Sequence, residues 1–160
     1  IRKNLDDILT IEDNELVVAF LDMVENHKIV VENSGLLTVA ALKHLNVTGK
    51  RIVSILSGGN MDVITMSSVV QQGLILRDRI FTVSILLPDK PGELSKVADT
   101  IAKEQGNVIK LEHNQFVSIN RNAAVELRIT LECFGTEHKR QIMKALEKAQ
   151  YKPKQVRTSL

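Results

Sequence analysis

Ser57-Gly58-Gly59-Asn60 follows the apolar run Ile52-Val53-Ser54-Ile55-Leu56 and precedes an amphipathic stretch that starts at Met61. A hydroxyl at the end of a hydrophobic strand can both donate and accept a hydrogen bond from a rigid position. Two glycines beside it let a backbone, or a flat ligand, come close. The same residues also suit a plain strand-to-helix turn, with Asn60 as the helix cap. A second stretch with chemical character is Asp89-Lys90-Pro91-Gly92. Pro91 is preset for a turn or a first helical position, and a helix opened there would aim backbone amides at a carboxylate. The four histidines, His27, His44, His113 and His138, are scattered without metal-ligand spacing and read as ordinary helix or strand residues. No Ser-His-Asp or Cys-His arrangement emerges.

These residues need elements to hold them, and the chain has two rhythms. Up to about Arg77 the pattern is strand, helix, helix, strand, helix. Asp6 to Ile11 reads as a short strand. Glu12 to His27 reads as a helix with Leu16, Ala19, Phe20, Met23 and Val24 on one face and an acidic first turn. Ser34 to Leu45 is apolar around most of its circumference, which predicts burial on several sides. Arg51 to Ser57 reads as a strand from the inside of a parallel sheet. Met61 to Leu74 reads as a helix, with Gly73 as its C-terminal stop. Two strands do not make a parallel sheet covered on both faces, so this segment is expected to be incomplete.

From Arg79 the order becomes strand, helix, strand, strand, helix, strand, and the boundary is placed at Leu76 to Arg79. Phe81, Val83, Ile85 and Leu87 alternate onto one face. Leu94, Val97, Ala98, Ile101 and Ala102 form a helical stripe that Gly106 ends. Two strands then meet through a polar tip at Asn120 to Asn122, and in the second of them Val125, Leu127, Ile129 and Leu131 point inward. Ile142, Ala145, Leu146 and Ala149 mark a last helix, and Pro153 argues that the final short strand lies at a sheet edge. This βαββαβ order is the ferredoxin-like split unit.

The bulk numbers narrow the function classes. The 160 residues are 44% hydrophobic and 25% charged, with 21 basic against 19 acidic side chains. That balance carries no footprint for nucleic acid or a membrane surface, and no apolar run reaches a membrane span. Aromatic residues make up 3% and do not interleave with basic ones. A single cysteine, Cys133, excludes an internal disulfide and fits a reducing compartment, so a cytoplasmic location is expected. The chain begins with Ile1 and reads as if cut from something longer.

The Asp89-Pro91-Gly92-Leu94 loop and helix, followed by Gly106-Asn107 and a strand, resemble the ACT domain, a small regulatory module that binds amino acids. The resemblance runs from Ile80 to about Val156 and is carried above all by the Asp-Lys-Pro-Gly loop. It implies effector contacts at Asp89, Gly92, Leu94 and Asn107, and side-by-side pairing with the ligand where two modules meet. Ahead of it, Val30-Val31-Glu32 with Gly35, the Val39-Ala40-Ala41-Leu42 helix and Ser57-Gly58-Gly59-Asn60 resemble the end of the catalytic domain of the threonine dehydratases. Those enzymes belong to fold type II, the tryptophan-synthase-β-like group that uses pyridoxal 5′-phosphate.

The fold implied is α/β, with residues 1–78 a partial tail of the cofactor domain and 79–160 an ACT domain. Ser57 then takes the position that hydrogen-bonds the cofactor's pyridine nitrogen, with Gly58, Gly59 and Glu32 around it. A neutral hydroxyl there makes the ring a weaker electron sink than a carboxylate would, which favours prompt loss of a β-hydroxyl over reprotonation. The cofactor lysine and the glycine-rich phosphate loop have no match here. The chain is therefore expected to be a fragment that does not hold the cofactor or catalyse by itself. Glu32-Asn33-Ser34-Gly35-Leu36 departs from the family's more usual Glu-Pro-Ala-Gly-Ala, so Asn33 and Ser34 do not report the substrate. The resemblance implies a threonine ammonia-lyase as the parent, isoleucine or valine as the effector, a homodimer through the ACT modules and a tetramer in the intact enzyme. A stand-alone amino-acid sensor without catalysis and a serine dehydratase relative are the other readings.

Overall fold

The computed structural model describes residues 6–114 and 124–159. The predicted hairpin tip at Asn120 to Asn122 lies outside them. Contacts divide the chain into two compact units, Ile1–Leu76 and Arg77–Leu160, each with its own core.

The first unit is helical. Helix α1 (Asp13–Asp22) ends in a wider turn at Met23–His27, short helical turns cover Asn33–Leu36, α2 (Leu37–Ala40) and Ala41–His44, and α3 spans Val63–Leu76. Glu12 and Glu15 form a capping box at the start of α1. Phe20 and Leu36 are fully buried, with Val17, Ala19, Met23, Val31 and Val69 around them. Leu37 and Leu45 remain exposed, so the second helical stretch is less enclosed than its composition suggests. Three predicted features of this unit are corrected. Asp6 to Ile11 forms no strand. Arg51 to Ser57 runs without strand pairing, and Val53 is 90% exposed and Ile55 73%. An apolar run becomes a buried strand only where neighbouring strands meet it, and none in the described residues does. Gly73 does not stop α3, which continues to Leu76. A Cβ there would sit 3.2 Å from Leu21 Cδ2, so the glycine lets α3 lie close against α1.

A cluster of charges ties α1 to the turn at Ala41–His44. Lys43 Nζ is 2.5 Å from Glu15 Oε1, and His44 Nε2 lies 3.0 and 3.1 Å from the two carboxylate oxygens. The Lys43 ammonium, then His44 and the Glu12 amide, push the Glu15 carboxyl down to about 2 from its ordinary 4.5. A carboxyl lowered on folding adds stability above its unfolded value and loses it as protons return. This link should therefore be intact above pH 4.5 and weaken as the pH falls towards 2. Following the Glu15 side-chain carbon by NMR in acid should show the low midpoint, and Lys43→Ala should move it upward. A midpoint at the ordinary value in the unsubstituted chain would refute the link.

The second unit is a four-stranded antiparallel sheet with two helices on one face. Its elements are β1 (Ile80–Pro88), α4 (Glu93–Lys103), β2 (Asn107–Asn114), β3 (Ala124–Glu132), α5 (Thr136–Lys148) and β4 (Lys154–Val156). The strand order is β2-β3-β1-β4, the ferredoxin-like arrangement. Alternation sets the core: Phe81, Val83, Ile85 and Leu87 face Val125, Leu127, Ile129 and Leu131, all nearly inaccessible. Val97, Ile101, Ile142 and Leu146 close the core from the helices. Ala102 and Ala149, predicted on the helical stripes, are exposed, and Leu94 is 41% exposed. Cys133 is buried, and its thiol donates to the Asp78 carbonyl at 2.9 Å. Burial pushes that thiol's pKa up, which leaves it inert. β4, the strand after Pro153, is an edge strand. So is β2, all of whose residues are exposed.

Candidate functional site

In the first unit the turn at Glu32–Leu36 and the segment at Ile55–Gly59 are held together by their backbones. The Glu32 N–H donates to the Gly58 carbonyl at 3.3 Å, and Thr38 Oγ1 donates to the Ile55 carbonyl at 3.0 Å. Gly35 lies so close that a Cβ on it would fall 1.8 Å from the Ser57 carbonyl oxygen. Gly58 has φ +81°, a left-handed conformation, and a Cβ there would lie 2.4 Å from Glu32 Cδ. The Glu32 carboxylate accepts from Ser34 Oγ at 2.6 Å. Four sequence-predicted positions, Glu32, Ser57, Gly58 and Gly59, thus share one small region, although they lie some 25 residues apart in the chain. The Ser57 hydroxyl is exposed and has no hydrogen-bond partner among the described residues. Asn60 does not cap the next helix. Asp62 does so, accepting from the Ile64 and Thr65 amides at 3.0 and 2.9 Å. The Thr65 hydroxyl and these amides hold the Asp62 carboxyl below its ordinary range.

In the second unit the loop between β1 and α4 borders a pocket of about 330 Å³, lined among others by Asp89, Pro91, Gly92, Leu94, His113 and Leu127. Gly92 caps α4 with φ +91°, nothing lies within 4 Å of where its Cβ would be, and no side chain caps that helix terminus. Lys96 pairs with Glu93 at 2.7 Å, which raises the lysine's pKa and fixes the first turn. Asp89, Gly92 and Leu94 therefore meet at one pocket. Asn107 does not join them. It pairs with Glu132, at the end of the sheet opposite to Pro88 and Asn114, and its amide donates to Glu132 Oε2 at 3.1 Å. The length of β2, roughly 23 Å at the usual rise per residue, separates it from the loop in one chain. His113 was missed by sequence reasoning. Its register opposite Leu127 brings it to the pocket wall, and the alternation that sets Leu111 and His113 on the helix side of this exposed strand is the signal that could have found it. Among the described residues no group of three or more His, Cys, Asp or Glu could hold a metal, and no helix is long and apolar enough to cross a membrane.

The chain is 33% identical over 153 residues to the L-threonine ammonia-lyase of Geobacter sulfurreducens, covering 94% of this chain and 38% of that one. It is 28% identical over 147 residues to the L-threonine ammonia-lyase of Thermotoga maritima, covering 91% and 37%. The chain is homologous to part of the L-threonine ammonia-lyases. A biosynthetic L-threonine dehydratase of Staphylococcus aureus matches at 26% identity over 126 residues, 78% of this chain and 30% of that one. The chain spans under two-fifths of the length of these ammonia-lyases and dehydratases. No protein-family model matches. Among solved structures, a Bacteroides thetaiotaomicron protein aligns over 49% of this chain and 48% of its own, at 22% identity and a TM-score of 0.35. A formyltetrahydrofolate deformylase from Burkholderia mallei aligns over 49% and 28%, at 13% identity and a TM-score of 0.33.

Proposed function

We propose that the chain is the C-terminal, regulatory portion of a threonine ammonia-lyase that converts L-threonine to 2-oxobutanoate and ammonia in the cytoplasm. The observation that carries this reading is a homology to two threonine ammonia-lyases that spans more than nine-tenths of the chain and includes both units. In this reading the first unit is the tail of a fold-type II domain that binds pyridoxal 5′-phosphate. The residues present fit that group: Ser57 is exposed with no hydroxyl partner among the described residues, and Gly59 leaves open space beside it, while the Glu32 side chain fills the place a Gly58 Cβ would take. When bound, the cofactor supplies an electron sink for the reacting carbon. Ser57 would hold the ring nitrogen through a neutral hydrogen bond, and Glu32 would set the position of Gly58 through its amide.

The second unit is then an ACT domain that binds isoleucine or valine at the loop pocket. The uncapped amides that open α4 favour the effector's carboxylate, and Leu87, Leu94 and Leu127 offer an apolar wall to its side chain. The exposed edge of β2, with Val108, Ile109 and Leu111 at 39–43% exposure, suits pairing with a second copy. Antiparallel pairing of two β2 edges about a two-fold axis brings Asn107 of one copy towards the Asp89–Gly92 loop of the other, which restores the four-residue set that one chain splits. Control of activity requires that the effector bind one state better than another, and an interface supplies two such states. In the intact enzyme two such pairs make a tetramer.

Calorimetric titration of the chain with isoleucine, valine, threonine and serine tests the proposal. Saturable heat is expected with isoleucine or valine, and Gly92→Val should abolish it by filling the open side of the loop. Asn107→Ala should weaken binding only where the chain is dimeric. No heat with any of the four would leave a fold without this ligand.

A further inference from the structure

A hollow of the second unit larger than the loop pocket lies away from the loop. It measures about 570 Å³, on the face of the sheet opposite to the helices, and is lined by Ser84, Leu86, Glu126, Lys152, Lys154 and Val156, with Gln150 at its rim. That volume falls within the ~300–1,000 Å³ range of small-molecule sites, which pair a mostly apolar lining with a few convergent polar groups. The sheet explains how the residues meet. Register sets Ser84 opposite Lys154 on one side and Arg128 on the other, and Leu86 opposite Glu126. Side chains at alternate positions share a face, so Ser84, Leu86, Glu126 and Lys154 all stand on the open one.

The polar groups differ in kind. Glu126 is only 9% exposed, and its Oε1 accepts from Ser84 Oγ at 2.6 Å and Arg128 Nε at 3.1 Å. The Ser84 hydroxyl, then Arg128, hold this carboxyl below its ordinary range, so it is ionised at neutral pH. The Asn114 side chain also donates to it, and since a carboxylate offers about four acceptor positions, one is left for a further donor. Lys152 and Lys154 have no hydrogen-bond or ion-pair partner among the described residues. Leu86 is 60% exposed, an uncovered apolar surface between the two kinds of charge.

A fixed anion, two unpaired cations and an apolar wall around one hollow match the three parts of an aliphatic amino acid. We propose that this hollow is a second amino-acid site: the ligand's carboxylate lies between Lys152 and Lys154, its ammonium faces Glu126, and its side chain covers Leu86 and Val156. The site shares no lining residue with the loop pocket and stands whether or not the loop binds an effector.

The test is an amide-shift NMR titration of the full 160-residue chain with L-isoleucine, L-valine and the 2-oxo acid matching isoleucine. Saturable shifts are expected at Ser84, Leu86, Glu126 and Lys154 with one of the amino acids. The 2-oxo acid, which lacks the ammonium, should bind at least about tenfold more weakly. The Lys152→Ala/Lys154→Ala variant should lose these shifts while keeping those at Gly92 and Leu94, if the loop binds. Leu86→Ala, a substitution at an exposed position, should weaken the same shifts several-fold without unfolding the unit. Shifts confined to the loop, no shifts at all, equal binding of the 2-oxo acid, or undiminished binding by the double variant would each overturn the proposal.

Discussion

Gly35→Ala should detach the Ser57 segment from the turn that carries Glu32. The new Cβ would fall 1.8 Å from the Ser57 carbonyl oxygen and 2.8 Å from its carbon, and 2.7 Å from Val31 Cγ1. Two of those three atoms are backbone and have no rotamer to escape into, so the segment itself must move by more than an ångström. The Glu32 N–H to Gly58 bond and the Thr38 hydroxyl to Ile55 bond would go with it. Each is worth about 1 kcal/mol net, and the crowding adds about 1–3 kcal/mol, for a loss of about 3–5 kcal/mol to the first unit. Gly59→Ala is the contrast. Its Cβ would meet only the Val30 carbonyl, at 3.7 Å, an ordinary contact, so it should be tolerated. Gly58→Ala should lie between, because the Glu32 side chain can swing away while the left-handed backbone still costs roughly 1–2 kcal/mol. Amide exchange at Glu32 reads the result directly. Full protection of that amide in Gly35→Ala would mean that the two segments are not held as described.

The ranking Gly35, Gly58, Gly59 could not be read from the sequence, and the reason applies to most of what was missed. Alternation is a local signal. It made β1 and β3 legible because a buried face repeats every second residue, and it placed Val83, Ile85, Leu127 and Ile129 correctly. Neighbours are not a local signal. Ile52 to Leu56 has the composition of a buried strand, yet Ile52, Val53 and Ile55 stay exposed because no strand in the described residues pairs with it, and only Leu56 packs against the core. Gly73 looks like a stop when only its own helix is considered, and becomes a packing contact once Leu21 and Val17 lie across it. Asn60 and Asp62 are equally able caps by type, and only the start of α3 at Val63 selects Asp62. The resemblance that singled out Asp89, Gly92 and Leu94 rests on residues close in sequence, and these three line one pocket. Asn107 was grouped with them through a resemblance whose site spans two chains, and the register of β2 keeps it apart in one. The hollow beside Glu126 left no trace in any motif, because it is assembled from β1, β3 and the approach to β4.

The second large effect concerns the sheet core. Leu127 has no exposed surface, sits in an inner strand, and packs with Ile85, Val97, Ile142 and Leu146. Leu127→Ala removes three heavy atoms between two helices and a sheet that are already close-packed, so collapse around the gap is limited. The expected loss is about 2–5 kcal/mol, a large share of the roughly 5–15 kcal/mol that holds a typical domain. Leu86→Ala, on the adjacent strand but 60% exposed, should change stability by less than about 1 kcal/mol, because little apolar surface is returned to water. The chain provides its own probe for this comparison. It has no tryptophan and a single tyrosine, and Tyr151 packs against the sheet core of the second unit. Urea unfolding followed by tyrosine fluorescence therefore reports that unit without interference from the helical one. Leu127→Ala should lower the midpoint with an unchanged slope, the sign of lost stability rather than a changed unfolded state. Leu127 also lines the loop pocket, so the same variant should weaken any ligand held there. If Leu86→Ala proved as damaging as Leu127→Ala, the assignment of a covered and an open face to this sheet would be wrong, and with it the placement of the hollow on the open side.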